Sequence, residues 1–163
     1  MISPESTLLL VEDDEDDVFF MQRALGKAKI VLPMKVVVDG RQALDYLGGL
    51  GVHADRTAYP IPAIIFLDLK LPYVDGFEVL QWTRQQPSLK EITVLILTSS
   101  PEERDRQKAM DLGAKDYLVK PPTVEMLVSA MRFLQQPSAP LSPLNVPKVP
   151  PTQRSGYSPE TPL

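Results

Sequence analysis

The sequence predicts an α/β fold in which five parallel strands form one doubly wound sheet with helices on both faces. Three observations predict it. Five short, unbroken apolar runs are spaced along the chain, as suits strands buried on both faces. Segments with helical periodicity lie between them, and that alternation is the signature of a parallel sheet with crossover helices. Acidic, hydroxyl and lysine side chains follow directly after several of the runs, and the carboxyl ends of strands are where such sheets bind ligands.

The first strand is read at Leu8–Val11. Val18, Met21 and Leu25 then recur at helical spacing, with Phe19 and Phe20 widening the apolar stripe. Val36–Val38 gives the second strand, and Ala43, Leu44 and Leu47 mark a short helix. A Gly-rich stretch, 48–62, leads to the third strand at Ala63–Leu67. Asp75-Gly76 is turn chemistry that introduces a helix carrying Phe77, Val79, Leu80 and Trp82. The fourth strand is Thr93–Leu97.

Residues 101–112 offer almost nothing apolar before Ala109. Ser100 is expected as N-cap, Pro101 as the first helical residue and Gly113 as the stop of a weakly packed, easily displaced helix. Tyr117–Val119 is the fifth strand. Val124, Leu127, Val128, Met131 and Leu134 keep an i, i+3, i+4, i+7 pattern for the last helix.

Composition bounds the function. The 163 residues carry 17 basic and 21 acidic side chains, a net charge of -4. That balance argues against a nucleic-acid binder. The absence of cysteine excludes a disulfide framework, a thiol nucleophile and cysteine-ligated metal. No apolar stretch approaches the length of about 20 residues needed to span a bilayer, and the N-terminus lacks the basic region of a signal peptide. The expectation is therefore a cytoplasmic protein with no membrane contact.

Eight of the 17 prolines fall in the last 27 residues. The chain is thus read as one domain, 1–136, and a proline-rich tail, 137–163, of flexible or polyproline II character. The tail carries a charge of +1, which leaves -5 on the domain. Its Pro140-Leu141-Ser142-Pro143 matches a P-x-x-P pattern, read as part of the flexible extension. Twenty-seven residues are too few for an output domain, so the output is expected to lie in other proteins.

The residues at the strand ends carry the chemistry. Glu12 and Asp13 follow the first strand, Asp68 the third, Thr98 and Ser99 the fourth, and Lys120 the fifth. Two like charges ~4 Å apart repel by about 4 kcal/mol at an effective dielectric of ~20. Glu12, Asp13 and Asp68 therefore call for a cation, and an all-oxygen ligand set favours Mg²⁺. A metal, a lysine and a hydroxyl around a central carboxylate can stabilise a transferring phosphoryl group. Asp68 would be the nucleophile and would form an acyl phosphate. Asp14, Glu15, Asp16 and Asp17 are read as a solvated acidic helix start. His53 is read as a solvated loop residue, Trp82 as packing or an exposed contact, and Tyr117 as either packing or a switch. The glycines form neither dinucleotide-binding motif nor P-loop.

Four segments in order resemble the receiver domain of two-component response regulators: Leu10-Val11-Glu12-Asp13, Phe66–Gly76, Ile96-Leu97-Thr98-Ser99 and Gly113–Pro121. The resemblance implies a flavodoxin-like sheet of order 2-1-3-4-5. It implies phosphorylation of Asp68 by a sensor histidine kinase or phosphotransfer protein. It also implies Mg²⁺ bound by Asp13, by Glu12 largely through water, by Asp68 and by the backbone carbonyl of Lys70. Thr98 and Ser99 would bind the phosphoryl group, Tyr117 would change rotamer with Thr98, and Lys120 would pair with the phosphoryl oxygens. The Lys120–Pro121 peptide would be cis. Partners, or a second copy, would read the face at 101–136. The run Glu12–Val18, the loop 48–62 and Leu97–Ser100 are further similar to stand-alone receivers associated with phytochrome kinases.

Two rivals stand beside this reading. A phosphatase of the haloacid dehalogenase type also uses a strand-end Asp, but it needs a second Asp where Lys70 stands. A phosphate-independent receiver-fold scaffold would not need the Glu12, Asp13, Asp68, Thr98 and Lys120 set.

Overall fold

The structure, a computed structural model, describes residues 6–135. The elements run β1 (Leu8–Val11), α1 (Glu15–Lys27), β2 (Met34–Val37), α2 (Gly40–Gly48), a 3-10 turn (Gly51–Ala54), β3 (Ile64–Leu67), α3 (Gly76–Gln85), β4 (Thr93–Thr98), α4 (Glu103–Asp111), β5 (Asp116–Val119) and α5 (Val124–Gln135). All strand pairs are parallel, and the sheet order is β2-β1-β3-β4-β5. The expected flavodoxin-like topology is therefore the observed one. The tail 137–163 lies outside the described residues.

Side chains alternate across each strand, and the central strands feed two cores. Leu9, Val11, Ile65, Leu67, Val94 and Ile96 pack against α2, α3 and α4. Leu8, Leu10, Ile64, Phe66, Leu95 and Leu97 pack against α1 and α5. Burial on both faces explains why these strands read as continuous apolar runs.

Five local expectations are corrected. The second strand covers Met34–Val37 rather than Val36–Val38, and only Val37 of it is buried. β2 is one of the two edge strands; Val36 within it and Val38 just past its end are exposed. Phe19 and Phe20 are also exposed; α1 buries Met21, Ala24 and Leu25. The helix α4 starts at Glu103, not Pro101. Ser100 does not cap it, because its hydroxyl donates to Asp105 Oδ2 at 2.6 Å and accepts the Glu102 amide. His53 is half-buried rather than solvated. Its ring packs against Tyr46 and Tyr59, with centroids 5.2 and 4.8 Å away.

The other expectations for α4 and α5 meet clear features. Ala109 is the only buried residue of α4, consistent with weak packing. Gly113 follows its end at φ +100°, a conformation that favours glycine. In α5, Leu127 and Met131 of the expected stripe are buried, together with Ala130, whereas Val128 is exposed. Trp82 is partly buried against the core. The Leu134 side chain lies outside the described residues.

Candidate functional site

Every strand except β2 delivers one part of the site. β1 ends at Val11 and hands on Glu12, which is buried, and Asp13, which is exposed. β3 ends at Leu67 and hands on Asp68, also buried. β4 carries Thr98 at its last position, followed by exposed Ser99. β5 is followed by Lys120, and the Lys120–Pro121 peptide is cis.

The chain turns sharply after β3. The Asp75 side chain caps α3 by accepting the Glu78 amide at 3.0 Å. Gly76 lies so close to the strand end that a Cβ there would sit 2.1 Å from the Asp68 carbonyl oxygen. Glycine at this position lets α3 start against the backbone of Asp68. The Lys70 amide, 3.3 Å from Asp68 Oδ1, holds the carboxylate from the loop side.

Lys120 is the hub. Its ammonium lies 2.6 Å from Glu12 Oε2 and 2.8 Å from both Asp68 Oδ2 and Asp17 Oδ2. Burial works against its charge, but the hydrogen bonds it donates to the three carboxylates outweigh that and hold it above the usual lysine range. Burial pushes Glu12 up to about 7, against the downward pull of Lys120 and the Asp14 amide. Asp17 is the member that the acidic run concealed. The helix cap is Asp14, which accepts the Asp16 and Asp17 amides, so the Asp17 carboxylate is left for Lys120.

One carboxylate oxygen each from Glu12, Asp13 and Asp68 falls within 4.8 Å of the others. A hard divalent cation takes this all-oxygen, acid-rich set readily, so the donor chemistry fits Mg²⁺. The Thr98 hydroxyl is fully buried and has no hydrogen-bond partner among the described residues, which leaves a donor available at the strand end. Behind it, the Tyr117 hydroxyl donates to the Ser100 carbonyl at 2.8 Å. Burial pushes that phenol up, so it remains a donor.

A parallel 2-1-3-4-5 sheet with a lysine-bridged carboxylate cluster at its carboxyl edge defines the class: an α/β domain whose site is built from strand ends. More particularly, the chain belongs to the response regulator receiver domain family, whose model matches residues 8–132. It is similar to the bacteriophytochrome response regulator RtBRR, with 44% identity over 84% of this chain and 82% of that one, at a TM-score of 0.72. It is 36% identical to response regulator Rcp1 of Synechocystis sp., covering 72% of this chain and 78% of Rcp1. The Mn²⁺-bound structure of response regulator Rcp1 aligns at a TM-score of 0.69 and 31% identity, over 83% of this chain and 99% of that one. Membership favours neither the phosphatase nor the scaffold rival. Among the described residues, no helix is long and apolar enough to cross a membrane.

Proposed function

We propose that Asp68 accepts a phosphoryl group from a phosphohistidine on a sensor kinase or phosphotransfer protein. The observation that carries this reading is the Lys120 ammonium, 2.8 Å from Asp68 Oδ2, inside a cluster suited to a divalent cation. In the transfer, an Asp68 carboxylate oxygen attacks phosphorus. An O–P bond forms as the donor's N–P bond breaks, and the imidazole leaves with the bonding pair and takes a proton from water. Mg²⁺ held by Glu12, Asp13, Asp68 and the Lys70 carbonyl would supply positive charge against the transferring oxygens. Lys120 adds a second positive charge, and the Thr98 and Ser99 segment supplies hydroxyl donors.

The acyl phosphate would draw the Thr98 hydroxyl inward. That bias would pass to Ser100, α4 and Tyr117, and a protein partner or a second copy would read the face at 101–136. Likeness to a bacteriophytochrome response regulator supports a phytochrome-type kinase as phosphoryl donor. The setting would be the cytoplasm, with self-phosphorylation from small donors and self-dephosphorylation as the only chemistry.

Labelling by acetyl phosphate tests the reading. The wild-type chain should incorporate phosphate only with Mg²⁺ present, and Asp68→Asn should lose the label. Unchanged labelling in Asp68→Asn would overturn the assignment.

A further inference from the structure

We infer that Asp17 is a positioning residue for Lys120, the carboxylate that retains the ammonium when a divalent cation occupies Glu12 and Asp68. This inference rests on the reading of Asp68 as a group shared by Lys120 and the cation.

An ammonium has three N–H donors. Lys120 directs its ammonium at three carboxylates, those of Glu12, Asp17 and Asp68, at 2.6–2.8 Å. Glu12 and Asp68 also belong, with Asp13, to the oxygen cluster that suits a cation, and Asp17 does not. Asp17 is therefore the one partner of Lys120 that the cation leaves alone. Its side chain is 33% exposed, whereas those of Glu12 and Asp68 are 2% and 7% exposed. The ammonium thus has a landing point toward the mouth of the site. Residence at Asp17 would move positive charge away from an incoming divalent ion while keeping it within reach of a phosphoryl group on Asp68.

The location of Asp17 suits this task. It lies in the first turn of α1, where the helix dipole favours a carboxylate. Asp14 already satisfies the exposed amides of that turn, so the Asp17 side chain is not needed as a cap. Without Asp17, Lys120 would have only Glu12 and Asp68 as partners, and the cation would have to displace it from both.

Calorimetric titration of the full chain with Mg²⁺ alone tests this directly. Asp17→Asn should raise the Mg²⁺ Kd by about three- to fivefold, the upper part of the range for a part-exposed charged contact. Asp16→Asn removes the same charge from an exposed neighbour and should change it by less than about twofold, because solvent and salt screen that site. Asp17→Glu keeps the carboxylate and should restore most of the affinity, which separates positioning from a fold defect. In a Lys120→Met background, Asp17→Asn should have no further effect beyond that of Asp16→Asn. Equal shifts for the two Asn variants, failure of Asp17→Glu to restore affinity, or an undiminished Asp17→Asn effect without Lys120 would overturn the inference. Failure of the phosphoacceptor reading would show separately, as wild-type protein that binds Mg²⁺ but takes no label.

Discussion

Lys120 Nζ lies 2.6 Å from Glu12 Oε2, and Glu12 is the most buried acid of the site. Burial raises Glu12 from 4.5 to about 7, while Lys120 is held above 10.5 and stays charged at every working pH. Between pH 4.5 and 7 the folded chain therefore holds a proton on Glu12 that the unfolded chain releases. Stability from this group is complete below pH 4.5 and is lost as pH rises through 7. The effect should be on the order of 3 kcal/mol. Denaturant melts of metal-free wild type and Glu12→Gln check it. The gap between them should change by that amount from pH 4.5 to 8, with wild type losing ground as pH rises.

Gly76 should be intolerant of any side chain. A Cβ there would meet the Asp68 carbonyl at 2.1 Å and Leu69 Cα at 2.7 Å, both of them backbone atoms. Relief requires α3 or the end of β3 to move, so Gly76→Ala should cost at least about 2 kcal/mol. Mg²⁺ affinity should fall with it, because Asp68 hangs on the displaced segment. A Gly26→Ala control, in open space near the end of α1, should leave the Mg²⁺ titration nearly unchanged and raise stability by up to about 1 kcal/mol through helix propensity.

What was legible in the sequence follows from burial. β1, β3 and β4 are covered on both faces, so their runs are apolar without interruption and their ends mark Glu12, Asp68 and Thr98. β2 buries only Val37, so its apolar run, Val36–Val38, does not mark the strand, which begins two positions earlier at Met34. Asp17 was hidden because acids at a helix start satisfy the helix dipole whatever else they do. The available signal was position: Asp17 lies in the first turn of α1, directly after the strand end that carries Glu12 and Asp13. A hydroxyl beside a proline suggests a cap at Ser100, whereas its partner is the Asp105 side chain, five residues on.

Arg84 should prove a structural keystone away from the site. It donates to the Gly113 carbonyl at 2.6 and 3.2 Å and to the Lys90 and Ile92 carbonyls at 2.7 Å. It thereby ties the end of α3 to the entrance of β4 and to the turn after α4. Arg84→Ala should destabilise by about 2–3 kcal/mol, since several charge-assisted bonds go at once. Arg84→Lys should recover only part, because an ammonium lacks the planar fork that spans these carbonyls. Thermal melts of both variants would show the order wild type, Lys, Ala.

Tyr117 should control how firmly α4 is held. Its hydroxyl donates to the Ser100 carbonyl at 2.8 Å, and its ring lies under the Arg106 guanidinium, 5.8 Å from the ring centroid. Ser100 in turn donates to Asp105 in the first turn of α4. With only Ala109 buried in that helix, these polar ties carry much of its attachment. Tyr117→Phe keeps the ring and removes the hydroxyl bond, leaving the Ser100 carbonyl short of a partner. Global stability should drop by about 1 kcal/mol. Amide exchange should accelerate mainly in residues 103–111, while α5 amides, anchored by Leu127, Ala130 and Met131, should slow or speed only with the global change. Equal acceleration of α4 and α5 would mean that the phenol stabilises the whole fold rather than the α4 attachment.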